Sequence, residues 1–116
     1  MGAVDTLTVN RRERGDVIVL SVSGVVDEVT TPSLATHLDI AMIDQPRVLV
    51  VDLHAVEFMS TSGINLLVEL QRLTVPTTTR LRVAADGPAT SRPLRLLEID
   101  RLIEVYTSAD EALAAG

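Results

Sequence analysis

Three consecutive hydroxyl side chains, Ser60, Thr61 and Ser62, precede Gly63 and a run with helical periodicity formed by Ile64, Leu67, Val68 and Leu70. Hydroxyls at such a place have two chemical uses. One of them can accept a hydrogen bond from a first-turn N–H and cap the helix. One of them can instead carry a phosphate, because the free N–H groups and the positive end of the helix dipole favour an anion there. A phosphate adds about −1.5 to −2 charges at neutral pH. If a protein contact worth about 3 kcal/mol is lost to that charge, affinity falls more than a hundredfold. Such a hydroxyl makes a binding switch with no catalytic group in the chain itself.

The remaining reactive side chains do not assemble into a catalytic or metal-binding set. The chain has no cysteine and no lysine. That excludes a disulfide scaffold, a thiolate metal site, a Cys nucleophile, a P-loop lysine and a Schiff-base lysine. His37 and His54 stand alone, without the His-x-x-x-His spacing of a zinc helix. Ser, His and Asp occur, but no Gly-x-Ser-x-Gly elbow does, and Gly63 is a lone glycine rather than a phosphate-cradling loop. Asp52 ends an apolar strand, as a receiver-type phosphoacceptor would. Ser21 and Ser23 stand where that chemistry needs an acidic pair, so Asp52 is expected to hydrogen-bond local backbone. The expectation is no catalytic residue, no metal and no cofactor.

The hydroxyls must be held by the elements around them. Leu7 and Val9 alternate with polar neighbours over 6–10, and Val17–Ser23 is rich in β-branched residues; both read as strands. Arg11 to Asp16, with Gly15, reads as the turn of an antiparallel hairpin, and Gly24 closes its second strand. Thr31 followed by Pro32 predicts a helix start, with Leu34, Leu38, Ala41 and Met42 on one face and Pro46 ending it. Arg47–Leu53 is apolar on both faces, as a buried parallel strand is. Residues from Asp52 to the hydroxyls read as a loop, and a second helix starts near Ser62 and ends at Val75-Pro76. A strand over Arg80–Ala84, a helix over Ser91–Ile99, a strand over Leu102–Tyr106 and a short helix after Ser108 complete the chain. Ser108-x-x-Glu111 has the spacing of a capping box.

The order β-β-α-β-α-β-α-β-α implies an α/β fold, a mixed and mostly parallel sheet with an N-terminal hairpin and about four helices. With 116 residues, the chain reads as a single domain over 1–116. Apolar residues make up 47% of it, yet Phe58 and Tyr106 are its only aromatics, so its core is aliphatic. The net charge of −6 argues against nucleic acid or an anionic membrane as the main partner and suits a basic surface. No segment approaches 18 uninterrupted apolar residues, and no signal-peptide layout opens the chain, so the cytoplasm is expected. Residues 1–6 fit the loose myristoylation pattern, a match short enough to arise by chance.

The segment Asp52-Leu53-x-x-Val56-x-Phe58-Met59-Ser60-Thr61-Ser62-Gly63-Ile64 resembles the signature of the STAS domain family, in particular its bacterial anti-sigma factor antagonists. Gly24-Val25-Val26-Asp27, Thr31-Pro32-Ser33-Leu34, Leu97–Leu102 and Tyr106–Leu113 resemble further family segments in the family's order. The resemblance implies a STAS-like fold and a partner-switching regulator. The unphosphorylated protein binds an anti-sigma factor, often a serine/threonine kinase using ATP, and so frees a sigma factor. Phosphorylation of a loop hydroxyl breaks the complex, and a phosphatase resets it. The family motif, commonly Asp-Ser-Ser-Gly, places the phosphoacceptor at Thr61, with Ser60 and Ser62 as alternatives. Thr61 stands where Ser is usual, Ser60 where Asp is usual, and Glu98 where Gly is frequent.

By the same resemblance, Met59, Ser60, Thr61, Ser62, Gly63 and Ile64 form the partner-binding segment, with Asp27 as a secondary contact. Asp27 and Glu28 together suit a basic partner face, and Met59 reads either as an adaptable contact at a loop tip or as packing beneath it. A homodimer is compatible with this reading. Two other readings use the same residues: a STAS module of a lipid-transport or stress-signalling complex, and a small ligand-binding α/β protein, which would need a convergent polar pocket near Thr61.

Overall fold

A computed structural model describes residues 7–115. The myristoylation-like match over 1–6 and the first residue of the strand expected over 6–10 lie outside the described residues. The chain runs β1 (Leu7–Arg14), β2 (Val17–Val26), α1 (Thr31–Ile43), β3 (Val48–Met59), α2 (Thr61–Thr74), β4 (Arg80–Ala84), α3 (Ser91–Leu96), a 3₁₀ turn (Ile99–Arg101), β5 (Glu104–Tyr106) and α4 (Ala109–Ala114). Among the described residues the strands form one sheet in the order β1-β2-β3-β4-β5. β1 is antiparallel to β2, and each later neighbour is parallel. This is the expected α/β architecture.

Sequential parallel strands joined by right-handed crossovers must carry their helices on one face. The core follows that rule. Ile18, Leu20, Leu49, Val51, Leu53, Leu81 and Val83 from the strands meet Leu34 and Leu38 of α1, Leu67 and Leu70 of α2, and Leu94 of α3. Each fully buried leucine there contributes about 1.5–3 kcal/mol of transfer free energy. On the opposite face Val17, Val19, Val48 and Val50 pack under Ala112 of α4. The centre of β3 is therefore covered on both sides, which accounts for its continuous aliphatic run.

The hairpin is tighter than its sequence suggested. β1 extends to Arg14, and only Gly15 and Asp16 connect it to β2, with Gly15 at φ +62°. A two-residue hairpin loop calls for a positive φ at its first position, which glycine supplies. Gly24 does not close β2 but lies within it, beside a register shift. Thr30, not Thr31, is the N-cap of α1. The third helix stops at Leu96, because Glu98 adopts φ +59° and the chain tightens into the 3₁₀ turn. β5 accordingly begins at Glu104 rather than Leu102. Ser108 caps α4, its hydroxyl accepting from the Glu111 N–H at 3.1 Å, while the Glu111 carboxylate accepts from the Thr107 N–H at 3.1 Å, one residue short of the reciprocal bond of a full capping box.

The main correction concerns β3. Residues 54–59, expected as loop, continue the strand, which pairs with β2 as far as Val26 opposite Met59. Ser21 and Ser23 face Asp52 and Ala55, while Gly24 and Val25 face Val56 and Phe58, so each shift inserts one extra residue into β3. Two bulges convert the period of two into a spacing of three, with Leu53, Val56 and Met59 turned to the core. The connection to α2 is Ser60 alone.

Candidate functional site

α1 and α2 both start at the carboxyl ends of parallel strands, the rim where ligands of such sheets usually bind. Two tight turns set this rim. In the first, the Asp27 carboxylate accepts the N–H groups of Val29 at 2.9 Å and Thr30 at 3.0 Å. The Thr30 hydroxyl accepts the Asp27 N–H at 2.9 Å and donates to the Val25 carbonyl at 2.8 Å. The Thr31 hydroxyl donates to the Asp27 carbonyl at 2.6 Å. The Thr30 N–H, and after it the Val29 N–H, hold the Asp27 carboxyl below the usual carboxylate range. Asp27 thus serves the turn that starts α1. Thr30 was missed from sequence, although its position three residues after Asp27 is a spacing at which such side chains bond local backbone.

In the second turn, Ser60 N–H donates to the Val26 carbonyl at 2.8 Å, which fixes the start of α2 to the end of β2. The Ser60 carbonyl then accepts from Gly63 at 3.1 Å and Ile64 at 3.2 Å, opening the helix. Gly63 is required by contact. A Cβ there would lie 2.6 Å from Val26 Cγ1 and 3.0 Å from Met59 Cγ. The first turn of α2 therefore sits directly on the ends of β2 and β3.

This close seat separates the expected site residues. Thr61 is exposed, Ser62 is half-buried, and Gly63, Ile64 and Met59 are buried. Met59, at 6% exposure, is packing beneath the rim rather than a free loop tip. The Ser60 hydroxyl oxygen is buried without a hydrogen-bond partner and does not cap α2. Of the three hydroxyl residues, Thr61 is the exposed one, at a helix start where Ser60 makes no side-chain cap. Two apolar side chains stand out beside it: Val29, 84% exposed at the tip of the first turn, and Phe58, 53% exposed one residue before Met59.

Asp52 accepts the His54 N–H at 2.9 Å, the local bond expected of it. The His37 ring lies 2.9 Å from the Ser33 carbonyl on the exposed side of α1. Among the described residues no group of three or more His, Cys, Asp or Glu is placed to hold a metal ion. A cavity of about 310 Å³, lined by Gln71, Thr74, Thr77, Thr79, Arg80 and Glu104, lies at the opposite end of the sheet from Thr61. No helix of the described residues is long and apolar enough to cross a membrane.

A family model described as the STAS domain matches residues 8–112. The anti-sigma-F factor antagonist RsfB of Mycobacterium tuberculosis is 31% identical over 113 residues, which cover 97% of this chain and 92% of that protein. The crystal structure of an anti-sigma factor antagonist from Mycobacterium paratuberculosis superposes with a TM-score of 0.83 at 35% identity, covering 97% of this chain and 96% of that one. The unphosphorylated anti-sigma factor antagonist SpoIIAA shares the fold, with a TM-score of 0.65 at 13% identity over 92% of this chain and 93% of its own.

Proposed function

The chain belongs to the STAS domain family, and from that premise we propose that residues 1–116 act as a single STAS domain working as an anti-sigma factor antagonist. It acts by binding rather than by turnover. In the cytoplasm the unmodified chain holds an anti-sigma factor and so releases a sigma factor to RNA polymerase. The partner is of the serine/threonine-kinase type, and it transfers the γ-phosphoryl group of ATP to the Thr61 hydroxyl. A phosphatase removes it. The observation that carries the regulatory part is the contrast between the exposed Thr61 and the buried Ser60 oxygen at the start of α2.

The exposed hydroxyl can reach a kinase active site without unfolding the rim, whereas Ser60 cannot. The test is capture from lysate of the source cells with wild type, Thr61→Ala and Thr61→Glu as baits, the retained proteins being identified by mass spectrometry. An anti-sigma factor held by wild type and Thr61→Ala and lost by Thr61→Glu is the expected result. Equal retention by all three would leave the antagonist role and remove Thr61 as the switch. Recovery of transport or metabolic proteins alone would remove the antagonist role.

A further inference from the structure

The arginines of this chain are not spread evenly. None occurs between Gly15 and Pro46 or between Val48 and Gln71, the two stretches that build the rim, although they contain Asp27, Glu28, Asp52 and Glu57. The ion pairs of the described residues lie elsewhere. Arg47–Asp16, Arg80–Glu104 and Arg82–Glu104 sit at or toward the amino ends of the parallel strands, Arg11 of β1 pairs with Glu13 and with Asp44 at the end of α1, Arg72–Glu69 lies at the far end of α2, and Arg101–Glu98 beside the 3₁₀ turn. The β2–α1 and β3–α2 connections on either side of Thr61 therefore carry acidic side chains and no arginine, with Glu28 and Glu57 exposed on them; Arg92 and Arg95 lie on α3, after β4.

The same rim carries apolar surface. Val29 and Phe58 are far apart in sequence, but Val25 ties them together. It is the β-partner of Phe58, and its carbonyl accepts the hydroxyl of Thr30, the neighbour of Val29. Phe58 is one of only two aromatics in the chain and is more than half exposed. Isolated exposed apolar residues are ordinary. Two on adjacent connections of one rim, beside Glu28 and Glu57, have the make-up of an interface centre with a charged surround.

We propose that Val29 and Phe58 are the apolar anchors of the partner surface, and that Glu28 and Glu57 select a partner whose matching face is rich in arginine or lysine around an apolar recess. This rests on the antagonist reading above and names how that same site recognises its anti-sigma factor. The two pairs have separable kinetic roles. Anchors seated in a recess govern dissociation, while rim charges govern association and its salt dependence.

The experiment measures association and dissociation rates by surface plasmon resonance at low and high salt. It uses the full chain and the anti-sigma factor that wild type captures, produced separately. Val29→Asp and Phe58→Asp are each expected to raise Kd at least tenfold through faster dissociation. The double variant Glu28→Arg/Glu57→Arg should slow association about tenfold at low salt, with the difference shrinking at high salt. Ile43→Asp, at the far end of α1 and 74% exposed, should stay within twofold of wild type, and circular-dichroism melts confirm that each variant is folded. Rates for Val29→Asp and Phe58→Asp within twofold of wild type would overturn the proposal while leaving the antagonist reading intact. So would faster association of the arginine variant, which would mean an acidic partner. If wild type captures no anti-sigma factor, the antagonist reading fails, and the rim assignment falls with it.

Discussion

Replacing Gly63 by alanine tests whether α2 is seated as tightly as its contacts imply. In an ordinary helix this change stabilises by up to about 1 kcal/mol, and by less in a first turn. Here the added methyl would sit 2.6 Å from Val26 Cγ1 and 3.0 Å from Met59 Cγ. Carbon atoms prefer about 3.5–4.0 Å, so roughly 1 Å must be found. Met59 can swing its flexible side chain aside. Val26 cannot: it is fully buried, its χ1 is stiff, and its carbonyl holds Ser60. Overpacking of this kind costs about 1–3 kcal/mol. Set against the propensity gain, the net loss is about 1–2 kcal/mol. At roughly 4–8 °C per kcal/mol for a domain of this order, Tm should fall by about 5–15 °C.

Calorimetry or urea unfolding of a double-mutant cycle isolates the cause. Val26→Ala alone opens a cavity and costs about 2–3 kcal/mol. It also removes Cγ1, so in that background Gly63→Ala should be nearly neutral, giving a coupling of about 1–2 kcal/mol. An additive cycle, or a Tm raised by Gly63→Ala alone, would refute the claim that close approach to Val26 dictates glycine at 63.

Three further outcomes follow from other contacts. Arg82, 3% exposed, donates to the carbonyls of Ala112 at 2.9 Å and Ala115 at 2.8 Å and pairs with Glu104. Arg82→Met should therefore cost about 2–3 kcal/mol, and hydrogen exchange should show α4 losing protection before the sheet does. Glu98 holds a left-handed conformation at φ +59°; Glu98→Gly should raise stability in urea by about 0.5–1 kcal/mol, because relieved strain exceeds the added chain entropy. The Asp27 carboxyl is lowered by the Thr30 and Val29 N–H groups, so its contribution to stability is present above the unfolded carboxylate pKa and is lost as pH falls through the folded one. Asp27→Asn should accordingly lower Tm at neutral pH, and the gap to wild type should narrow below about pH 4.

The layer architecture was legible in the sequence because each element's period matched its environment. The aliphatic run Val48–Val51 is apolar on both faces and is buried on both. Pro32 lies in the first turn of α1, and Ser108 with Glu111 marked the cap of α4. The half of β3 after Leu53 was illegible because two bulges erase alternation, and a spacing of three belongs to no regular template. Thr30 and Thr31 are equivalent as letters. Only the Asp27 turn, which holds the Thr30 N–H and hydroxyl, makes Thr30 the cap. The three hydroxyls were visible as a group, but their sorting into exposed Thr61 and buried Ser60 depends on how closely Gly63 lets the helix approach. The absence of arginine from the rim stretches can be counted in the sequence, yet it acquires meaning only when the topology brings those stretches to one end of the sheet.

The acidic rim constrains how a phosphate on Thr61 can act. If the partner face is basic, two more negative charges strengthen long-range attraction, so simple repulsion cannot open the complex. The local terms have the opposite sign. The phosphate is stabilised in the free chain by the uncapped start of α2, worth about 0.3–1 kcal/mol and up to about 2 when partly buried. Covering it with the partner strips water from a near-dianion, an effective penalty of several kcal/mol. An exposed attraction to a rim arginine returns about 1 kcal/mol or less. Desolvation and the displaced anchors win, and the loss must appear in dissociation. Encounter, still steered by Glu28 and Glu57, should proceed as fast as before or faster. The modified chain would then be rejected after contact rather than before it, and a phosphatase would restore binding without any change in the shape of the sheet that carries the rim.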